Sequence, residues 1–552
     1  MRTETRLLFV VTILLFLSSL NYGQSELIIE PFATTQEFLE VPILADSTSR
    51  PADRVYVLRR GGAYYMSISL DILDYTLRIK AEAGEGAKPV IYAFRNTNGS
   101  YNAQLFNVYT AIELTNISLV GWAEGTEDFD RNVTRLVNVA SIGGSINLDN
   151  CILSTASATL VQTSAAGGYV RATNTVFTHS SNLKQTNLGN GRAFDFRDVA
   201  VDSVFIQNCS FFNFTDRVIR HYNAKATLKN FFLDHNTFYN GLAEHGCLSL
   251  GRIEGGVQIT NNLFVDNFLF GNDSTATQSD GRLVEFAYTE EVGPSGAPRM
   301  TFVGSVPNDT TAISWDVRNN YYSISPSVQA FYDSHPELDE LIPLTWHINK
   351  KLGADSVNAF TKVAAPVVFE DAPAIAIPFA EWFFKPIEQG GAGKSKSNAN
   401  FSLDIGFDRR DIAYLDGTLD LAYQTTSDAY TGAQGYPVGD LNWYPDKKAA
   451  WIQDPVGVDA VTGLPTEFSL DQNYPNPFNP STKIVYNVPV QSQIQLDVFD
   501  VLGRRVTTLV NEVQPAGQHI VNFDASQLSS GVYFYRLSTQ NLTLSKKMIL
   551  MK

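Results

Sequence analysis

The sequence predicts an all-β protein: a right-handed parallel β-helix, a solenoid of stacked coils, followed by a small C-terminal β-sandwich. Composition is the first reason. Aromatic residues are 12% of the chain, charged residues 18%, and Asn and Thr are frequent, which is the palette of strands and turns. The second reason is a short phrase that returns through the middle of the chain every few tens of residues, as stacked coils require. The third is a set of alternating strands broken by glycine turns beyond residue 464.

Arg2 and Arg6 precede the apolar run Leu7–Leu17, interrupted only by Thr12. That run is too short to span a bilayer, which takes about twenty residues, and reads as the core of a signal peptide over 1–23. No later stretch is long and apolar enough to span, so no membrane span is expected in the mature chain. Residues 24–49 read as a lead-in. Strands at Arg54–Leu58, Tyr75–Lys80 and Gly86–Ile91 open the solenoid, assigned to 50–380.

The phrase is centred on Asn116, Asn150, Asn174, Asn208, His235, Asn261 and Asn319, each with an apolar residue two before and another three after. The intervals are 34, 24, 34, 27, 26 and 58 residues, so the last holds an insertion or two coils. Asn suits a corner because it tolerates left-handed backbone and its amide can bond to the coil above or below. A second column follows in Phe106-Asn107-Val108, Val137-Asn138-Val139, Val161-Gln162-Thr163, Phe194-Asp195-Phe196, Ile219-Arg220-His221, Leu248-Ser249-Leu250 and Val284-Glu285-Phe286. Strand alternation turns the flanks inward and the middle residue outward. The expected outward row is therefore Asn107, Asn138, Gln162, Asp195, Arg220, Ser249 and Glu285, with His221 a core histidine.

Residues 381–453 read as a capping or wrapping segment over the open end of the solenoid, with Trp443 and Tyr444 packing rather than stacking on sugar. Within it, Gln389–Asn400 is expected to be a mobile loop. Residues 454–463 read as a linker and 464–552 as the sandwich. The net charge of -16 excludes a general nucleic-acid binder, which needs a basic face. Cys151, Cys209 and Cys247 cannot all pair, two of them fall in one column, and neither they nor the histidines have zinc spacing. Buried thiols and no metal site are expected.

Two resemblances carry function. Leu77-Arg78-Ile79-Lys80-Ala81 followed by Pro89-Val90-Ile91 resembles the opening of secreted pectin-lyase-like β-helix proteins, nearest the chondroitinase B and alginate lyase group, over roughly 50–380. That resemblance implies an extracellular polysaccharide as partner. It also implies β-elimination, in which a base takes a proton and calcium or a basic group neutralises the uronate. The tail closely resembles the C-terminal sorting domain of type IX secretion cargo. The matching stretches are Asn473–Ile484, Val498–Val506, Ala516–His519, Asp524–Arg536 and Lys546–Lys552. It implies the type IX machinery as partner and a secreted or outer-cell-surface location in a Bacteroidetes-type bacterium.

If the coils are catalytic, the candidates are Arg220, Asp195, Arg197 and Lys225, with Asn107, Asn138, Gln162, Arg252 and Glu285 binding substrate. Elimination is favoured over hydrolysis, because Asp195 and Glu285 stand too many coils apart for a retaining pair. The alternative is a non-catalytic glycan-binding or structural surface protein, in which Asp195 and Arg220 form only an ion-pair ladder.

Overall fold

The computed structural model describes residues 25–95, 101–124, 133–180, 190–221, 226–242, 246–269, 272–273, 303–305, 315–339, 341, 343–344, 346–394, 419–453, 468–488, 492–514, 517–526, 528–539 and 542–551. The signal peptide and the linker at 454–463 lie outside them.

Three long parallel sheets form the solenoid. The first runs from Glu26–Ile29 to Trp315–Arg318, the second from Ala63–Met66 to Phe360–Lys362, and the third from Leu70–Ile72 to Val303–Ser305. Each repeat passes from first to second to third sheet and returns one coil further on. The recurring phrase is the corner between the first two sheets. Asn116, Asn150, Asn174, Asn208, His235, Asn261 and Asn319 all have positive φ, from 50° to 59°. His occupies the place once because its side chain too is among those found in left-handed backbone.

The apolar residue closing the phrase turns inward. Phe177, Phe211, Phe238 and Phe264 stack coil upon coil, with centroids 4.9, 4.9 and 4.6 Å apart. Leu153 and Tyr322 continue this column in register. Aromatic stacks of this kind contribute about 1 kcal/mol per pair beyond the area they bury. The long interval after Asn261 is a single coil with an insertion, since Val257–Thr260 pairs directly with Trp315–Arg318.

A further ladder lies just inside the corner, one residue past the left-handed position. Asn236, Asn262 and Asn320 are fully buried. Their amides link through Asn236 Nδ2 to Asn262 Oδ1 at 2.9 Å and Asn262 Nδ2 to Asn320 Oδ1 at 2.8 Å. Earlier coils fill this place with Cys151, Thr175 and Cys209, joined by backbone bonds to Thr175 Oγ1 and Asn236 Oδ1. All three cysteines are free and buried. Burial pushes the Cys151 thiol up to about 12, so it stays an inert thiol.

The ends are closed as a solenoid needs. The lead-in already contributes the first strand, Glu26–Ile29, paired in parallel with Val55–Leu58. Leu39 and Ile43, on and beside the short helix Glu40–Ala45, bury into the first coils. At the far end Ile348 and Leu352, from the helix Trp346–Leu352, join the same core. Val363, Leu421, Tyr423 and Val438 wrap the outer face of the second sheet over Phe212, Tyr239, Leu263 and Val265. Trp443 packs here, donating its Nε1 proton to Ser210 Oγ at 2.8 Å, and the Tyr444 hydroxyl accepts from Tyr423 N at 2.6 Å. The loop expected at Gln389–Asn400 is packed in its first half: Ala392 is fully buried and Lys394 pairs with Glu337 at 3.2 Å. Residues 395–400 lie outside the described residues.

Beyond residue 468 a three-stranded and a four-stranded antiparallel sheet form the β-sandwich. Strand Ser481–Val488 pairs with Gly517–Asp524, and Ser492–Asp500 lies between Arg505–Gln514 and Gly531–Ser538. Ile484, Tyr486, Leu496, Val498, Tyr535 and Met548 fill a core of its own.

Candidate functional site

The row on the third sheet is in register along its length. Asp71, Asn107, Asn138, Gln162, Asp195, Arg220 and Ser249 follow one another on successive strands. The next place is held by Gly304, where the sequence pattern put Glu285. Glu285 and Lys225 lie outside the described residues.

The row has two halves of different chemistry. Asn107 donates to Asp71 Oδ1 at 2.9 Å and accepts from Asn138 at 3.0 Å. Ser164 bridges Asn138 and Gln162 at 2.7 and 2.8 Å. Asn138 and Gln162 are buried, and the amides are linked directly or through Ser164 because parallel stacking brings equivalent side chains into reach at the strand spacing of about 4.8 Å.

The other half is ionic. Arg220 grips Asp195 with two bonds, Nε to Oδ1 at 2.8 Å and Nη2 to Oδ2 at 2.6 Å. Arg192 lies 3.6 Å from Asp195 and 2.7 Å from Asp216, whose other oxygen is 3.7 Å from Arg217. Arg217 also donates to Ser249 Oγ at 3.3 Å. Three guanidinium groups, those of Arg192, Arg217 and Arg220, thus meet Asp195 and Asp216, with Arg135 two coils before Arg192 in the same column and the exposed Arg197 at the rim. Burial would push the Asp195 carboxyl up, but Arg192 and Arg220 outweigh it and hold it below the ordinary carboxylate range. Burial pulls Arg192 and Arg135 down, each also beside another guanidinium. They remain charged, since arginine is not deprotonated in proteins.

Arg197 does not share the face of Asp195 by simple alternation. It has a left-handed φ of 49°, the register shifts there, and the side chain is exposed while its backbone N–H donates to Asp195 Oδ1 at 3.0 Å. Arg252 is not brought to the row: it sits on the first sheet, in register with Thr227, with Glu254 3.8 Å away. His221 is buried as expected, its Nε2 2.9 Å from the Val199 carbonyl, and burial lowers its pKa.

Sequence reasoning missed Arg135, Arg192, Asp216 and Arg217. The signal available was the run Asp216-Arg217-Val218-Ile219-Arg220, three charges against an inward-facing strand. Among the described residues no three His, Cys, Asp or Glu side chains form a metal site. Calcium does not fit this cluster, because both carboxylates are taken by guanidinium groups and the surroundings are already positive.

Fold and row together define a solenoid with a charged strip on one sheet, joined to a separate antiparallel sandwich. Residues 472–551 match the family model of the secretion system C-terminal sorting domain. No curated protein matches the chain. The chain is type IX secretion cargo, exported to the medium or the outer cell surface. Among the described residues no helix is long and apolar enough to cross a membrane.

Proposed function

We propose that the exported β-helix binds an acidic extracellular polysaccharide on its third sheet, with the rim arginine Arg197 meeting the carboxylate or sulfate groups and the largely shielded Arg220 adding to the positive field. The observation that carries this reading is the excess of guanidinium groups over carboxylates at one spot of a chain whose net charge is -16. A local positive field on an otherwise acidic surface attracts anions and repels little nearby. Arginine also suits planar carboxylates and sulfates through its forked donors. The buried members of the cluster hold Arg220 and the Asp195 turn rigid.

Binding is favoured over elimination because no solvent-exposed base stands beside Arg220 among the described residues: His221 is buried, with its Nε2 against the Val199 carbonyl, and the arginines stay protonated. The test incubates the full chain with alginate, pectate and chondroitin sulfate. Affinity electrophoresis reads binding, and ultraviolet absorbance of the unsaturated uronate reads elimination. Retarded migration on an acidic glycan, weakened about tenfold by Arg197→Glu and by rising salt, is expected without new absorbance. A rise in absorbance would make the protein a lyase. Equal retardation on uncharged dextran, or none on any acidic glycan, overturns the reading.

A further inference from the structure

A second concave surface lies on the first sheet, away from the arginine row. Its floor is the outer face of three successive strands, with Glu113, Asn147 and Arg171 in one register column and Ser145 beside Tyr169 in the next. Its wall is the helix Pro445–Gln453, which contributes Lys448, Trp451 and Ile452. The groove encloses about 590 Å³, within the range of small-ligand sites.

The wall is fixed in place. Lys448 Nζ donates to Asn174 Oδ1 at 2.6 Å and to Asn442 Oδ1 at 2.5 Å, and the Trp451 ring lies 4.9 Å from that of His235. The charges along the groove are engaged. Glu113 pairs with Arg78 at 3.1 Å, and Asp149 accepts from Thr173 and Asn174 at 2.7 Å each. The Arg171 guanidinium lies 4.6 Å over the Phe205 ring. What the groove offers beyond these contacts is amide and hydroxyl chemistry beside two aromatic residues, Tyr169 and Trp451, that are themselves largely buried. One acceptor, Oδ1 of Asn147, is buried and takes no hydrogen bond among the described residues. A buried acceptor without a donor is costly unless something supplies one.

We infer that this groove binds an uncharged stretch of oligosaccharide, one of whose hydroxyls donates to Asn147 Oδ1 while Tyr169 and Trp451 bound its apolar faces. The lining sets two carboxylates, Glu113 and Asp149, against two cations, Arg171 and Lys448, which gives an anion no net attraction. The floor strands are paired on both sides within the sheet, so no free edge remains to which a peptide could add as a strand. The site is distinct in sheet and in chemistry from the arginine row, so the two stand or fall separately.

The test is calorimetric titration of the full chain with cellohexaose, xylohexaose, mannohexaose and laminarihexaose, and with oligogalacturonate as the acidic probe. At least one neutral hexaose is expected to bind. Asn147→Leu and Trp451→Ala should each weaken it tenfold or more, while Arg197→Glu leaves it unchanged. Asn147→Leu is close in size and removes only the amide, so an unchanged melting curve for it keeps the test decisive even if Trp451→Ala unfolds. Absence of binding by every neutral hexaose, or binding untouched by Asn147→Leu, overturns the inference. Binding confined to oligogalacturonate and lost in Arg197→Glu overturns it as well, while supporting the arginine row.

Discussion

At the residue scale the same side-chain type does two jobs one position apart, and only one of them was legible. The corner position repeats in seven coils, six times as Asn and once as His235, because left-handed backbone is a local requirement that each coil meets alone. Asn150 shows how little its amide adds, bonding to Asn116 at 3.2 Å in an exposed place. The inner ladder is different. Asn262 Oδ1 accepts from both the backbone N and Nδ2 of Asn236 at 2.9 Å, and its own Nδ2 reaches the Leu233 carbonyl and Asn320. Asn262→Ala leaves several of these buried groups unmatched and should destabilise the protein by about 3 kcal/mol, whereas Asn150→Gly, which keeps the backbone conformation, should cost under about 1 kcal/mol. Urea unfolding of the two variants measures the difference. The inner ladder escaped notice because Ile117, two cysteines and a threonine fill the same column in other coils, so the position does not repeat in the sequence.

At the element scale a second left-handed column closes the second sheet, at Thr155, His179, Asn213, Asn240 and Asp266, again hidden by its mixed composition. Asn240 Nδ2 bonds to Asn213 Oδ1 at 2.6 Å, and Asp266 Oδ1 accepts the backbone N–H of Ser325 at 2.8 Å, where helix Pro326–Asp333 begins. Burial pushes the Asp266 carboxyl up to about 6, more than its bonds to Ser325 pull it down. A folded value raised above the unfolded one means the folded state binds the proton more tightly. The contribution of Asp266 is therefore fully present below about pH 4 and is lost as pH rises through about 6. Other groups, such as the lowered His221, act in the opposite direction, so the wild type must be compared with Asp266→Asn. Relative to that variant, wild-type stability should fall by about 2 kcal/mol between pH 4 and pH 7, read from unfolding midpoints at each pH. Parallel curves for the two proteins would show that Asp266 does not titrate in this range.

At the scale of the whole molecule, legibility follows repetition. Coils and sandwich could be read because their alternation and turns recur; the helices Pro326–Asp333, Ile377–Phe384 and Pro445–Gln453 could not, since their apolar residues answer to the particular surfaces they cover. The row residues from Asn107 to Ser249 were placed by period alone, Arg220 beside Asp195 among them, but Arg192, Asp216 and Arg217 lie off that period and joined the cluster only in the folded chain. The two cores also divide the work. The solenoid core runs from Ile29 to Ala359 and takes nothing from the sandwich, whose own core starts at Leu470. A chain ending at Gln453 should therefore keep the main melting transition of the full-length protein, because among the described residues the solenoid core loses no member. In the producing bacterium the same truncation should stop export, leaving the solenoid folded on the inner side of the outer membrane, because residues 472–551 carry the sorting domain. Fractionation of cells and medium reads the second outcome and calorimetry the first. A truncated chain that still reaches the medium would mean that the solenoid carries a sorting signal of its own. One that no longer folds would mean that the sandwich serves the coils as more than an address.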